Sequence, residues 1–408
     1  MDYLKALPVE IWREILSNIP SHWRYGGILS HRPLCLYEDN RLGYKLGRND
    51  QRQLAQILLV CKQLAPLVEE VLYTDVCLKT VHICNGDFER LARVIHTSTR
   101  RRRGEWTRVI RADVSQVDQL SSLYLSGRIS TICPNLEAYH QIDDATRSII
   151  GQSNGLQGDL ALGLLPGWLA TITVLTISGY QISWINLHIL FQACHNLETL
   201  TLLAMQVIAH PGPARLTPLK KLKRLTMNAI CATALPSERW HLPMLQSLGV
   251  ELFPSRDMEQ LTSLLQNSGE TLVTLHLIHE WTTHLRSSRV APSHILDYCP
   301  KIRHLEIAFV EQVPELTAGH KWNKFHPLET LTILLPADTW DSILTKLTPQ
   351  FSKNMFPNLK KVNIILSKEY ASPGAEPTGH VEVAPRVAAK RVFPWCEICV
   401  ERRSGGLF

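Results

Sequence analysis

The frame LxxLxL recurs down this chain, and the distance between its copies constrains the fold more than any other feature. Residues 196–202 read NLETLTL, which places Leu197, Leu200 and Leu202 in that frame. It returns at Leu222/Leu225/Met227, Leu245/Leu248/Val250, Leu272/Leu275/Leu277 and Ile302/Leu305/Ile307. Further copies stand at Leu328/Leu331/Ile333 and Leu359/Val362/Ile364, with Ile172/Leu175/Ile177 upstream. Two degraded copies come earlier, at Val109/Ala112/Val114 and Leu136/Tyr139/Ile142. Counted from Ile172, successive anchors are 25, 25, 23, 27, 30, 26 and 31 residues apart. In a chain with 61 leucines the frame alone arises often by chance, but an interval held between 23 and 31 does not. Nor does the lead-in. ICPNLEAY, ACHNLETL and YCPKIRHL place Cys133, Cys194 and Cys299 three residues before the anchor, and FPNLKKV and HPLETL carry a proline in that lead-in, two residues and one residue before it.

Helical stretches lie between the copies. Met258, Leu261, Leu264 and Leu265 share a helical face, with Asp257 as N-cap and Gly269 as the stop. Trp340, Ile343, Leu344 and Leu347 repeat that face after Asp338. A short strand followed by a helix, at a period close to that of leucine-rich repeats, predicts an α/β solenoid. Its curved parallel sheet would carry helices on the convex side, with irregular repeats. The framed leucines and the three lead-in cysteines are then core. The glycine-rich stretch GQSNGLQGDLALGLLPG, between the copies at Leu136 and Ile172, is expected to loop out.

Ligand information would sit between the leucines, on the concave face. The candidates there are Thr199, Thr201, Arg224, Thr226, Asn228, Glu251, Thr274, His276, His304, Glu306, Thr330 and Thr332. They are mixed polar, without the Arg/Lys clustering that a phosphate backbone demands. A protein target fits such a face, and nucleic acid does not.

The first seventy residues have a different pattern. In LPVEIWREILSNIP, Ile11, Ile15 and Ile19 fall at i, i+4 and i+8, beside Trp12 and Leu16, making one apolar stripe. Pro8 suits a first helical turn and Pro20 ends the segment. A second helix can start at Asp50, with Gln53 completing a capping box, and carries Leu54, Ile57, Leu58, Cys61 and Leu64. Pro66 opens a third, LVEEVLY. Helices this short bury little among themselves and leave apolar surface for a partner or neighbouring domain to cover.

LPVEIWREIL followed by ILLVCKQLAPLVEEVLY resembles the F-box, in two halves covering about 1–20 and 54–73, directly ahead of leucine-rich repeats. The resemblance implies the substrate receptor of a Skp–cullin–F-box ubiquitin ligase. Its F-box would dock on the Skp adaptor, and through it a cullin, while the solenoid presents a protein target. It assigns adaptor binding to Leu7, Pro8, Ile11, Ile15, Leu59, Val60, Cys61 and Leu64. The spacer 21–53 is much longer than is usual in the family and reads as an inserted loop. The competing reading of the same residues is a repeat scaffold whose first helices only cap it. The expected organisation is a helical unit at 1–75, repeats over 76–366 and a flexible tail at 367–408, where leucine gives way to Pro, Ala and Gly. The closing VFPWCEICVERRSGGLF of that tail is apolar enough either to fold back on the solenoid or to capture a partner.

The remaining signals exclude more than they assign. The sequence carries no P-loop, GxGxxG, GxSxG or HExxH frame, so no cofactor and no catalytic residue is expected. Cys396 and Cys399 of WCEIC lack the second pair that a zinc site needs. The formal balance, 43 basic against 37 acidic side chains, is mild. Arg100–Arg103 reads as a solvated loop, with an anionic-partner patch as the alternative. No stretch approaches the roughly 18 apolar residues of a membrane span. The start, MDYLKALPVEIW, is not a secretory signal, and ten cysteines are far too few for a disulfide scaffold. A soluble, reduced, intracellular protein is expected, cytoplasmic or nuclear.

Overall fold

The computed structural model describes residues 8–18, 56, 64–79, 102–113, 129, 131–142, 167–178, 181–203, 206–208, 218–227, 242–252, 258–279, 295–308, 326–336, 340–347, 351–367 and 383–403. It is α/β, and the chain forms two compact units, Met1–Gly212 and Pro213–Phe408.

The first unit opens with helices α1 (Val9–Asn18) and α2 (Ala65–Thr74). Pro8 precedes α1 and its carbonyl accepts the N–H groups of Ile11 and Trp12, as a first-turn proline allows. Strands β1 (Asp75–Lys79), β2 (Val109–Asp113), β3 (Ala138–Ile142), β4 (Val174–Ser178) and β6 (Thr199–Leu203) then pair in parallel, each with the next. Two short strands, β5 (Gln181–Ser183) and β7 (Gln206–Ile208), form a separate parallel pair. Helix α3 (Trp184–Ala193) crosses from β5 to β6 and buries Leu187, Leu190 and Phe191.

The second unit continues the pattern in β8 (Arg224–Met227), β9 (Ser247–Leu252), β10 (Thr274–His279), β11 (His304–Ala308), β12 (Thr330–Pro336), β13 (Lys361–Ser367) and β14 (Glu397–Arg403). Every pairing is parallel. Parallel neighbours require a crossover between strands. Helices α4 (Met258–Ser268), α5 (Ile295–Tyr298), α6 (Trp340–Leu347) and α7 (Val383–Val392) lie in four of these crossovers. Leu261, Leu264 and Leu265 of α4 are buried, as are Ile343, Leu344 and Leu347 of α6.

The register carries the leucine frame from strand to strand. Leu248 pairs with Leu225 and Leu275, and Leu305 with Leu275 and Leu331. All 24 framed residues from Ile172 to Ile364 are exposed by 4% or less. Burying one such side chain is worth about 1.5–3 kcal/mol, and strand and helix layers each need the other to do it. A tight turn sets each anchor inward. At most anchors the N–H donates to the carbonyl three residues earlier, as in Leu197 to Cys194 (3.0 Å) and Leu272 to Gly269 (3.1 Å), and at Leu328 it donates instead to His326 Nδ1. The next two N–H groups share one carbonyl of the preceding repeat, as Glu198 and Thr199 share that of Thr173.

Side chains just before the anchor reinforce these steps, a signal that leucine spacing does not reveal. Asn135 donates to the Glu105 carbonyl, Asn196 to that of Ala170 and Thr271 to that of Leu245, each at 2.7 Å. The lead-in cysteines occupy the inside of the turn. Burial pushes the thiols of Cys133, Cys194 and Cys299 up to about 12. Because the thiolate is the nucleophile, these three should resist iodoacetamide at neutral pH in the folded protein and react in denaturant. Peptide mapping checks this, and rapid modification of any of them in the native chain contradicts it.

Three expectations need correction. The earliest repeat has the frame Thr107/Ile110/Ala112 rather than Val109/Ala112/Val114, because Ile110 is the residue paired with Tyr139, and Tyr139 with Leu175. The next frame ends at Gln141, not Ile142. The largest correction concerns 367–408. Ser367 ends β13, and residues 383–403 fold as α7 and β14, one more repeat along the sheet. Phe393, fully buried, meets Phe351 edge to face at 5.3 Å, and Phe351 lies 5.0 Å from Phe356. Cys396 takes the anchor position, its N–H bound to the Phe393 carbonyl, but Ile398 follows only two residues later, so the frame is hidden.

Candidate functional site

Two surfaces carry the residues singled out above. The first is the helical head. Leu16 of α1 packs with Leu64, Val68 and Val71 on and before α2, with Trp12, Leu67 and Leu72 at the margin. Its other side remains open: Ile11 and Ile15 are 40% and 41% exposed, and Pro8 and Val9, at the start of the helix, are exposed as well. Ile11 and Ile15, at i and i+4, share the outer side of the helix, whereas Val9 stands in the first turn on the side of Leu16. Of the adaptor set, Pro8, Ile11 and Ile15 therefore present surface, whereas Leu64 is spent inside the head. Leu7, Leu59, Val60, Cys61 and the spacer 21–53 lie outside the described residues.

The head is joined to the first repeat without a break. Helix α2 ends at Thr74 and β1 begins at Asp75. The Thr107 hydroxyl donates to the Tyr73 carbonyl and the Arg108 N–H to that of Thr74, both at 2.9 Å, so repeat residues cap the helix. Arg103 grips the same helix. Its Nε donates to Glu69 at 2.7 Å, a second guanidinium nitrogen meets the same oxygen, and its carbon lies 4.7 Å from the Tyr73 ring centroid. This last arginine of the basic run is thus neither a loop charge nor available to an anionic partner.

The second surface is the strand face opposite the leucines. By alternation, residues flanking the framed positions stand there in rows. Thr199, Thr274, His304 and Thr330 of the outer row are half-buried and Arg224 is exposed. The middle row is flanked on both sides and more enclosed: Thr201, His276 and Glu306 are buried, Thr226 and Thr332 half-buried. Asn228 lies outside the described residues, as does the Glu251 side chain, although its backbone is in β9.

Apart from Thr201, sequence reasoning did not single out the middle row of the first unit, where polar groups are buried in sequence. Arg111 Nε stands 3.6 Å from Asp75, and His140 Nδ1 is 2.9 Å from the Thr176 hydroxyl. Burial, with the Arg111 guanidinium adding to it, holds His140 well below the usual histidine range. Cys399 ends the middle row of the second unit, while Cys396 faces inward and donates to the Leu359 carbonyl. The two thiols of WCEIC thus occupy opposite faces. Among the described residues no three His, Cys, Asp or Glu side chains converge as a metal site, and no helix is long and apolar enough to cross a membrane.

Compared with known proteins, the chain matches no protein-family model and none of the curated proteins.

Proposed function

We propose that this chain is a substrate-recognition adaptor of a Skp–cullin–F-box type ubiquitin ligase. It would work without chemistry of its own, the helical head docking on the Skp adaptor and stretches of leucine-rich-repeat solenoid presenting a protein target. The observation that carries this reading is the open apolar pair Ile11 and Ile15 on a helix whose Leu16 side is already packed. Two large apolar side chains left in water side by side on one short helix suit a face that a partner covers. The F-box resemblance names what covers it.

A second reading, a repeat scaffold without ligase role, draws on the junction at Thr74–Asp75, where α2 is capped by the first repeat. That contact accounts for α2 but leaves the outer side of α1 unexplained, so the ligase reading is preferred. Affinity purification of the full chain with mass spectrometry tests it. The wild type should bring down the Skp adaptor and a cullin, and Leu7→Ala with Pro8→Ala should lose both while far-UV circular dichroism is unchanged. Retrieval of other proteins without the adaptor would leave the scaffold reading.

A further inference from the structure

The middle row of the second unit runs Thr226, Gly249, His276, Glu306, Thr332 and Asn363, one residue from each strand from β8 to β13. His276 Nδ1 and Glu306 Oε2 stand 3.0 Å apart, an imidazole–carboxylate pair across adjacent strands. The other carboxylate oxygen, Oε1, is sealed from solvent and has no hydrogen-bond partner, in a side chain only 5% exposed. A buried carboxylate oxygen without a donor is costly and uncommon, and here it sits in the polar row, not in the leucine core.

Beside the pair the row loses a side chain. A Cβ built at Gly249 would meet nothing nearer than Thr226 at 3.4 Å, so the strand there offers a notch between Thr226 and His276. His276, with 10% of its side chain exposed, forms one wall. In the neutral tautomer whose Nδ1 donates to Glu306, Nε2 carries its lone pair on the far side of the ring, and the unmatched Glu306 Oε1 is an acceptor as well. The six residues of the row include no lysine or arginine. A cation reaching Nε2 would lie about 8 Å across the ring from the Glu306 carboxylate, whose field in this enclosed row is little screened by water.

We infer that the notch beside His276 and Glu306 receives a cationic side chain, arginine or lysine, of the bound protein. This deepens the target-presenting reading and rests on it for the nature of the ligand. The test is a titration of the full chain, with 13C-labelled histidine side chains, against N-acetyl-arginine amide and its neutral isostere N-acetyl-citrulline amide. The arginine probe should shift the His276 resonance with millimolar affinity, and citrulline should bind at least about tenfold more weakly. Glu306→Gln should weaken the arginine probe by a similar factor, and Gly249→Val, which fills the notch and leaves the pair untouched, should abolish the shift. An unmoved His276 resonance, or equal responses to arginine and citrulline, overturns the inference. Adaptor binding is assigned to α1 in the other unit, so its loss or survival is read separately.

Discussion

Gly269→Ala should remove about 3 kcal/mol from the stability of the second unit, the upper range for an overpacked interior. Gly269 opens the tight turn that follows α4, three residues before the anchor Leu272. A Cβ there would stand 2.3 Å from the Tyr298 carbonyl oxygen and 2.9 Å from Cys299 Sγ. The first obstacle is main chain of the next repeat, so no rotamer change relieves it. Either the two repeats separate or the turn unwinds, and both open a core exposed by almost nothing. Gly104→Ala repeats the experiment in the first unit, where the Ile132 carbonyl would be 2.1 Å away. Gly249→Ala is the control, since its Cβ makes only ordinary contact, and should change stability by less than about 1 kcal/mol. Urea unfolding followed by circular dichroism measures all three. Equal midpoints for Gly269→Ala and Gly249→Ala would contradict the close stacking of repeats.

The second large effect is acid sensitivity through His326. Its ring is 2% exposed and lies 5.8 Å from the Phe356 ring. Nδ1 accepts the Leu328 N–H at 3.2 Å, so the proton belongs on Nε2, which reaches the Cys299 carbonyl at 3.4 Å. Burial lowers its pKa from 6.5 to about 4, against smaller opposing contributions from that carbonyl and from Asp297. The folded state therefore binds fewer protons than the unfolded chain between those values. Its stabilisation is complete above pH 6.5 and is lost as pH falls toward about 4. The gap corresponds to about 3 kcal/mol. His326→Asn keeps an acceptor for the Leu328 N–H and removes the titration, so it should flatten the pH profile of unfolding over that window. An unchanged profile would mean that His326 is not the acid-sensitive group. His140 should act in the same direction in the first unit.

What the sequence disclosed followed from how strongly each feature depends on leucine phase. Eight copies of the frame align residue for residue with the strand register because their side chains are core and tolerate no slip. Where another group fills the anchor, as Thr107 and Cys396 do, counting aliphatics misplaces the frame or misses a whole repeat. In the helical head, Ile11 and Ile15 of that stripe are on the exposed side, and Leu16 with Trp12 turns inward. Periodicity identifies a face, but not which of two faces has a partner inside the chain. The strand-face candidates were located by alternation. Their enclosure, and the pairing of His276 with Glu306, depend on neighbours about 30 positions away that no local pattern encodes.

The head and the repeats bear on function together. Because repeat residues cap α2 and Arg103 clamps it, a partner seated on α1 would be held in a fixed relation to the first strands. The central claim is that the outer side of α1 is that seat. Calorimetric titration of the purified full chain with the Skp adaptor tests it most directly. Micromolar or tighter binding is expected for the wild type, and Ile11→Asp with Ile15→Asp should weaken it at least about 100-fold, as loss of two buried anchors would. No heat of binding from the wild type, or equal binding by the variant, would contradict the claim.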